Sequence, residues 1–69
     1  MSDRDPRKDP RKGDEFEGPQ EHRTVIERYK KDGKWMVRYA AEDDWGEAYH
    51  RIVLLASFRR WAKRATVLS

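Results

Sequence analysis

Two stretches rich in strand-forming residues, Arg23 to Tyr29 and Trp35 to Ala40, are separated by Lys31-Asp32-Gly33-Lys34. Asp-Gly suits the positive φ angles that a type I′ turn requires at both central positions, and the twist of that turn matches the strands it joins. The chain therefore has a β-hairpin at its centre, and the rest must pack on or beside it. With Asp32 and Gly33 at the tip, the expected cross-strand partners are Lys31 with Lys34, Tyr29 with Met36, Glu27 with Arg38 and Ile26 with Tyr39. The Glu27–Arg38 pair is electrostatically favourable. Unbroken alternation puts Trp35, Val37 and Tyr39 on one face and Val25, Tyr29 and Met36 on the other. Apolar residues on both faces do not suit a flat, one-sided sheet; they point to a strongly bent sheet curling into a small barrel.

Flanking segments supply the remaining elements. Glu15-Phe16-Glu17 reads as a short first strand ended by Gly18-Pro19, and Ala48 to Leu55 as a third long strand, continuously apolar across Ile52-Val53-Leu54-Leu55. Phe58, Trp61, Ala62 and Ala65 follow at i, i+3, i+4 and i+7, the spacing that lines one side of a helix, while Arg59, Arg60, Lys63 and Arg64 turn outward. Ser57 is the expected N-cap of this helix, placed at about 58–65, and Thr66-Val67-Leu68 a short closing strand. The expected fold is thus mainly β, a barrel of four or five strands with one C-terminal helix spanning residues 14–69. Ahead of it, Asp5-Pro6-Arg7-Lys8 is repeated as Asp9-Pro10-Arg11-Lys12 with no apolar residue, so residues 1–13 are expected to form a solvated, disordered tail.

A single small domain of this length rarely nets more than roughly 3–5 kcal/mol from its core. The chain has no cysteine, which removes disulfides, thiol nucleophiles and cysteine-based zinc sites and fits a reducing compartment, so a cytoplasmic location is expected. The first residues carry no apolar stretch of the signal-peptide kind, and no segment approaches the roughly 20 apolar residues of a spanning helix, so no membrane association is expected. The net charge is +3, unevenly placed. Up to Glu21 acids outnumber bases, from Arg51 onward there are five bases and no acid, and Glu42, Asp43, Asp44 and Glu47 crowd one loop. A basic end and an acidic patch follow.

The succession Pro10-Arg11-Lys12-Gly13-Asp14, Arg23-Thr24-Val25, Asp32-Gly33 before Val37-Arg38-Tyr39, and Phe58-Arg59-Arg60-Trp61-Ala62 resembles a group of small proteins encoded by tailed bacteriophages and prophages. The likeness covers residues 10–65 and implies a Src homology 3-like barrel and an accessory product acting in the bacterial cytoplasm on nucleic acid or a host protein. Arg28 departs from the pattern, standing where an apolar strand residue is expected.

No residue set recommends catalysis. The serines are Ser2, Ser57 and Ser69, two of them terminal, and His22 and His50 are the only histidines, two potential ligands where zinc needs at least three. The acidic loop lacks the ligand spacing and central glycine of a calcium loop. No cofactor or metal is expected, and the chain reads as a non-enzymatic binding module. Arg51, Arg59, Arg60, Lys63 and Arg64 are the candidates for contacting nucleic-acid backbone without sequence preference. The alternative is a protein-docking surface at Glu42, Asp43, Asp44 and Trp45, where a ring in an acidic loop has no core to join. Trp35, Tyr39 and Trp61 are assigned to the core.

Overall fold

The computed structural model describes residues 4–68, and they form one antiparallel sheet with a single helix on it. In chain order the elements are β1 (Glu15–Glu17), β2 (Glu21–Lys31), β3 (Lys34–Asp43), β4 (Ala48–Leu54), α1 (Leu55–Ala62) and β5 (Thr66–Val67). The strand order is β4-β3-β2-β1-β5. β4 and β5 are the two edges and are not paired with each other, so the sheet of the described residues is not closed into a barrel. Among the described residues no helix is long and apolar enough to cross a membrane.

Asp32 and Gly33 have φ of 51° and 80°, the left-handed pair a type I′ turn demands. From the tip the pairing runs as expected through Lys31–Lys34, Tyr29–Met36 and Glu27–Arg38. Then it shifts: Val25, not Ile26, lies opposite Tyr39, and Ile26 is left over as a β-bulge. The surplus residue resets the alternation. Val25 joins Tyr39 and Val37 on the inner face, while Tyr29 and Met36 keep to the outer one. The two-sided apolar pattern is thus produced by a change of phase as well as by curvature. Val25 also fastens the sheet to what precedes β1, donating to the Asp14 carbonyl at 2.9 Å and accepting from Gly13 N–H at 2.9 Å.

The core lies between the inner face and α1: Phe16, Val25, Val37, Tyr39, Ala41, Phe58, Ala62 and Ala65 are buried. Phe58 meets Phe16 edge-on at 5.3 Å between centroids and Tyr39 at 5.7 Å, geometries that favour aromatic pairs beyond the area they bury. The helix starts earlier than its sequence suggests. Leu54, still extended at φ −64° and ψ 145°, occupies the N-cap without a side-chain bond, and Ser57 is inside the helix. Leu55 packs against the core, so chain direction and packing, not a capping oxygen, set the start. After Ala62 the coil tightens, with Arg64 N–H on the Trp61 carbonyl at 3.0 Å and Ala65 N–H on the Ala62 carbonyl at 3.1 Å. That turn buries Ala65 and delivers β5 to β1.

Trp35 is not in the core. It lies beyond the reach of the helix near the hairpin tip, 44% exposed, its ring covered by the Arg28 guanidinium at 5.0 Å and the Lys30 ammonium at 5.8 Å. Arg28 itself occupies an inner-face position opposite Val37. Its charge is met by Asp9, and this draws the N-terminal segment over that end of the sheet. Met1, Ser2 and Asp3 of the expected tail lie outside the described residues, but residues 4–13 have defined partners. Pro10 is fully buried. Arg4 forms a forked pair with the buried Asp14 carboxylate at 2.7 and 2.9 Å, which also accepts from Arg11 N–H at 2.8 Å. Each short stretch of this segment is polar and reads as solvated, but Asp14, Arg28 and the Ala65 carbonyl, 10 to 58 residues away, supply partners for it.

Candidate nucleic-acid interface

The basic residues divide by their partners. Five arginines on or against the sheet are neutralised: Arg4 by Asp14, Arg11 and Arg28 by Asp9, Arg23 by Glu21, and Arg38 by Glu27 at 2.9 Å. Arg51, Arg59, Arg60, Lys63 and Arg64 have no carboxylate within ion-pairing distance among the described residues. Four of these five belong to α1 and the turn that follows, all exposed, and their positions follow from the helix period. Phe58 and Ala62 face the sheet, so Arg59 and Lys63, one turn apart, share a flank.

On that flank the N-terminal segment adds charge. Asp5 caps a short turn, its carboxylate accepting from Arg7 N–H at 3.0 Å and its carbonyl from the N–H groups of Lys8 and Asp9 at 3.0 and 2.9 Å. The Arg7 guanidinium then donates to the Ala65 carbonyl at 3.0 and 3.3 Å, pinning the turn beside the helix end. Arg7, Lys8, Arg59 and Lys63, with Asp5, line one surface groove. Arg7 and Lys8 were missed by reading the tail as disordered; the signal that finds them is Asp5-Pro6, a capping acid followed by the residue best suited to begin a helical turn.

Arg64 points the other way, into a depression it shares with Pro19, Gln20, Glu21, Arg23 and Trp61. Here the Arg23 guanidinium stacks between Trp61, at 4.0 Å, and Tyr39, at 4.3 Å. Burial alone would raise the Glu21 carboxyl, but the Tyr49 hydroxyl, donating at 2.6 Å, and Arg23 hold it below the usual carboxylate range. The same hydrogen bond, with burial, raises the Tyr49 phenol. Arg51 stands apart from the helical bases, on β4, with its guanidinium 4.8 Å over the Tyr49 ring. It belongs with Glu21 and Tyr49, not with the patch at the helix end.

The acidic loop joins β3 to β4. Asp43 turns its carboxylate inward, accepting from Trp45 N–H and Glu47 N–H at 2.9 Å each, and Gly46 N–H bonds the Asp43 carbonyl at 3.1 Å. Gly46, at φ 83°, completes a turn that an L side chain would strain. The backbone is thereby fixed while Trp45 stands 89% exposed. Asp44 and Trp45 line a surface hollow with Gln20, Glu21, Asp43 and Tyr49, and Glu42 is exposed on the outer face of β3. His22 and His50 do not meet: β3 lies between their strands, and His22 sits 3.3 Å from Glu15. Among the described residues no three metal-ligating side chains converge.

No protein-family model, characterised protein or solved structure matches this chain.

Proposed function

We propose that the protein is a small non-enzymatic binding module of the bacteriophage accessory kind, acting in the host cytoplasm, whose helix-end bases contact the phosphate backbone of nucleic acid. The observation that carries this reading is a cluster: Arg59, Arg60, Lys63 and Arg64 are exposed and unpaired around one end of one helix, whereas Arg4, Arg11, Arg23, Arg28 and Arg38, on the sheet or in the segment strapped to it, are engaged by carboxylates. Unpaired surface cations are free to neutralise phosphates, and release of the counterions condensed on the nucleic acid drives binding. The strand order and the bulge that bends β2 support a kinship with Src homology 3-like barrels, a fold that serves several kinds of recognition and by itself decides none.

The test is binding of duplex DNA and of RNA by fluorescence anisotropy across a salt series. Replacing Arg59, Arg60, Lys63 and Arg64 together with Gln abolishes binding while the far-ultraviolet spectrum stays the same. For about four phosphate contacts, log affinity falls with log salt at a slope of roughly −3 to −4 on duplex DNA. No binding by the unaltered protein at low salt overturns the proposal.

One further observation favours a second reading. Trp45 stands in solvent at the tip of an acidic loop whose backbone is hydrogen-bonded, the posture of an anchor for a cationic segment of a protein partner. Under that reading Trp45→Ala abolishes partner binding and the four-Gln variant leaves it intact.

A further inference from the structure

The two edges of the sheet are unequal. β5 is two residues long, whereas β4 runs for seven, pairs with β3 along its whole length without a register shift, and among the described residues has no strand on its other side. No backbone hydrogen bond from a loop or turn among the described residues reaches Ala48–Leu54. An open row of N–H and C=O groups is a template for another strand, and proteins that remain single blunt such edges with proline, bulges or charge. β4 has no proline, bulge or acid. Its one formal charge, Arg51, is drawn back over Tyr49. On the face away from the helix, Ile52 and Leu54 are 50% and 43% exposed, beside a half-buried Met36 that pairs with Leu54.

We propose that β4 is a homodimer interface, pairing antiparallel with β4 of a second copy of this chain about a two-fold axis at Ile52. Antiparallel self-pairing is isologous, so the strand must be complementary to itself. Centred on Ile52, it sets Ile52 against its own copy, Arg51 against Val53, and His50 against Leu54, opposing no like charges and covering the exposed apolar side chains. Centred on Arg51 it would oppose two guanidinium groups, which is unfavourable. The two-fold axis stands perpendicular to the extended sheet, so both helices emerge on the same side and their basic ends belong to one surface. The dimer does not depend on nucleic-acid binding.

The experiment is sedimentation velocity on the full chain without nucleic acid. The unaltered protein sediments as a dimer at high micromolar concentration, and Ile52→Lys, which sets like charges face to face on an exposed position, sediments as a monomer with an unchanged circular dichroism spectrum. Because the chain has no cysteine, Ile52→Cys supplies a sole thiol at the axis. Under mild oxidation it cross-links to a covalent dimer, whereas a thiol placed at Lys31, by the hairpin tip, does not. A monomeric unaltered protein, a dimer that survives Ile52→Lys, or equal cross-linking from both positions overturns the proposal. If Ile52→Lys fails to fold, the Ile52→Cys and Lys31→Cys comparison decides alone.

Discussion

Gly18 lies flat against the indole of Trp61: the Cβ that any other residue would add there runs into Cζ2 and Cε2 of the ring. The indole cannot easily yield, because it packs on Phe16 and Phe58 at 6.1 and 5.8 Å between centroids and carries Arg23 on its face. Gly18→Ala therefore destabilises by overpacking, by about 1–3 kcal/mol. In a Trp61→Phe background the same change costs less, because the smaller ring leaves room. A thermal-denaturation double-mutant cycle measures the coupling, and additive effects would contradict it.

Removing residues 1–13 should destabilise the domain. Truncation strips Arg4 from Asp14 and Asp9 from Arg28 and removes the buried Pro10, leaving the buried Asp14 without its cation. The expected fall in Tm exceeds about 4 °C, the lower end of what one kcal/mol produces in a domain of this size. Scanning calorimetry of the truncated and full chains checks this, and an unchanged Tm would show that the strap contributes nothing.

Stability should fall in acid. Burial pushes the Asp14 carboxyl up, but Arg4 and the Arg11 N–H outweigh it and hold the group below its ordinary value; Asp9, beside Arg11 and Arg28, and Glu21 are lowered too. A carboxyl with a lower pKa in the folded state gives stability that is complete above the unfolded value, about 4, and is lost as pH falls through the folded value. Chemical denaturation at pH 7 and at successively lower pH should show a declining midpoint below about pH 4. Asp14→Asn should be less stable at neutral pH and show a shallower decline.

Lys8→Gln tests whether the N-terminal turn belongs to the same surface as α1. Lys8 shares a groove with Arg59 and Lys63, so on duplex DNA its loss reduces the magnitude of the log affinity against log salt slope by about 0.9 while stability is unchanged. Lys34→Gln, at the hairpin tip, leaves the slope alone. Equal slopes for Lys8→Gln and the unaltered protein would remove the turn from the interface.

What could be read from the sequence was local chemistry. The Asp32-Gly33 turn and the helical spacing of Phe58 and Ala62 each depend on neighbours within one turn, and both are where the spacing puts them. The helix start was misplaced because Ser57 is a good cap by itself, whereas Leu55 begins the helix by packing on a core assembled from distant strands. Trp35 was misassigned because alternation cannot say how far along the hairpin the helix reaches. The ordered N-terminal segment was hidden for the same reason, although Arg28, a charge in an apolar slot, was the visible sign that a distant carboxylate had to arrive. Of the candidate site, the helical bases were legible from periodicity, and Arg7 and Lys8 became neighbours of them only through the Ala65 carbonyl.

Ile26 separates two properties that sheets usually entangle, which residues pair and how sharply the surface curls. Since the register resumes beyond it, a chain lacking that one residue would keep every β2–β3 partnership, from Lys31–Lys34 to Glu21–Asp43. It would lose only the extra bend, and the concavity that receives Phe58 would flatten beneath the helix. A local bend of β2 is thus encoded in the length of one strand, where a deletion matters more than a substitution.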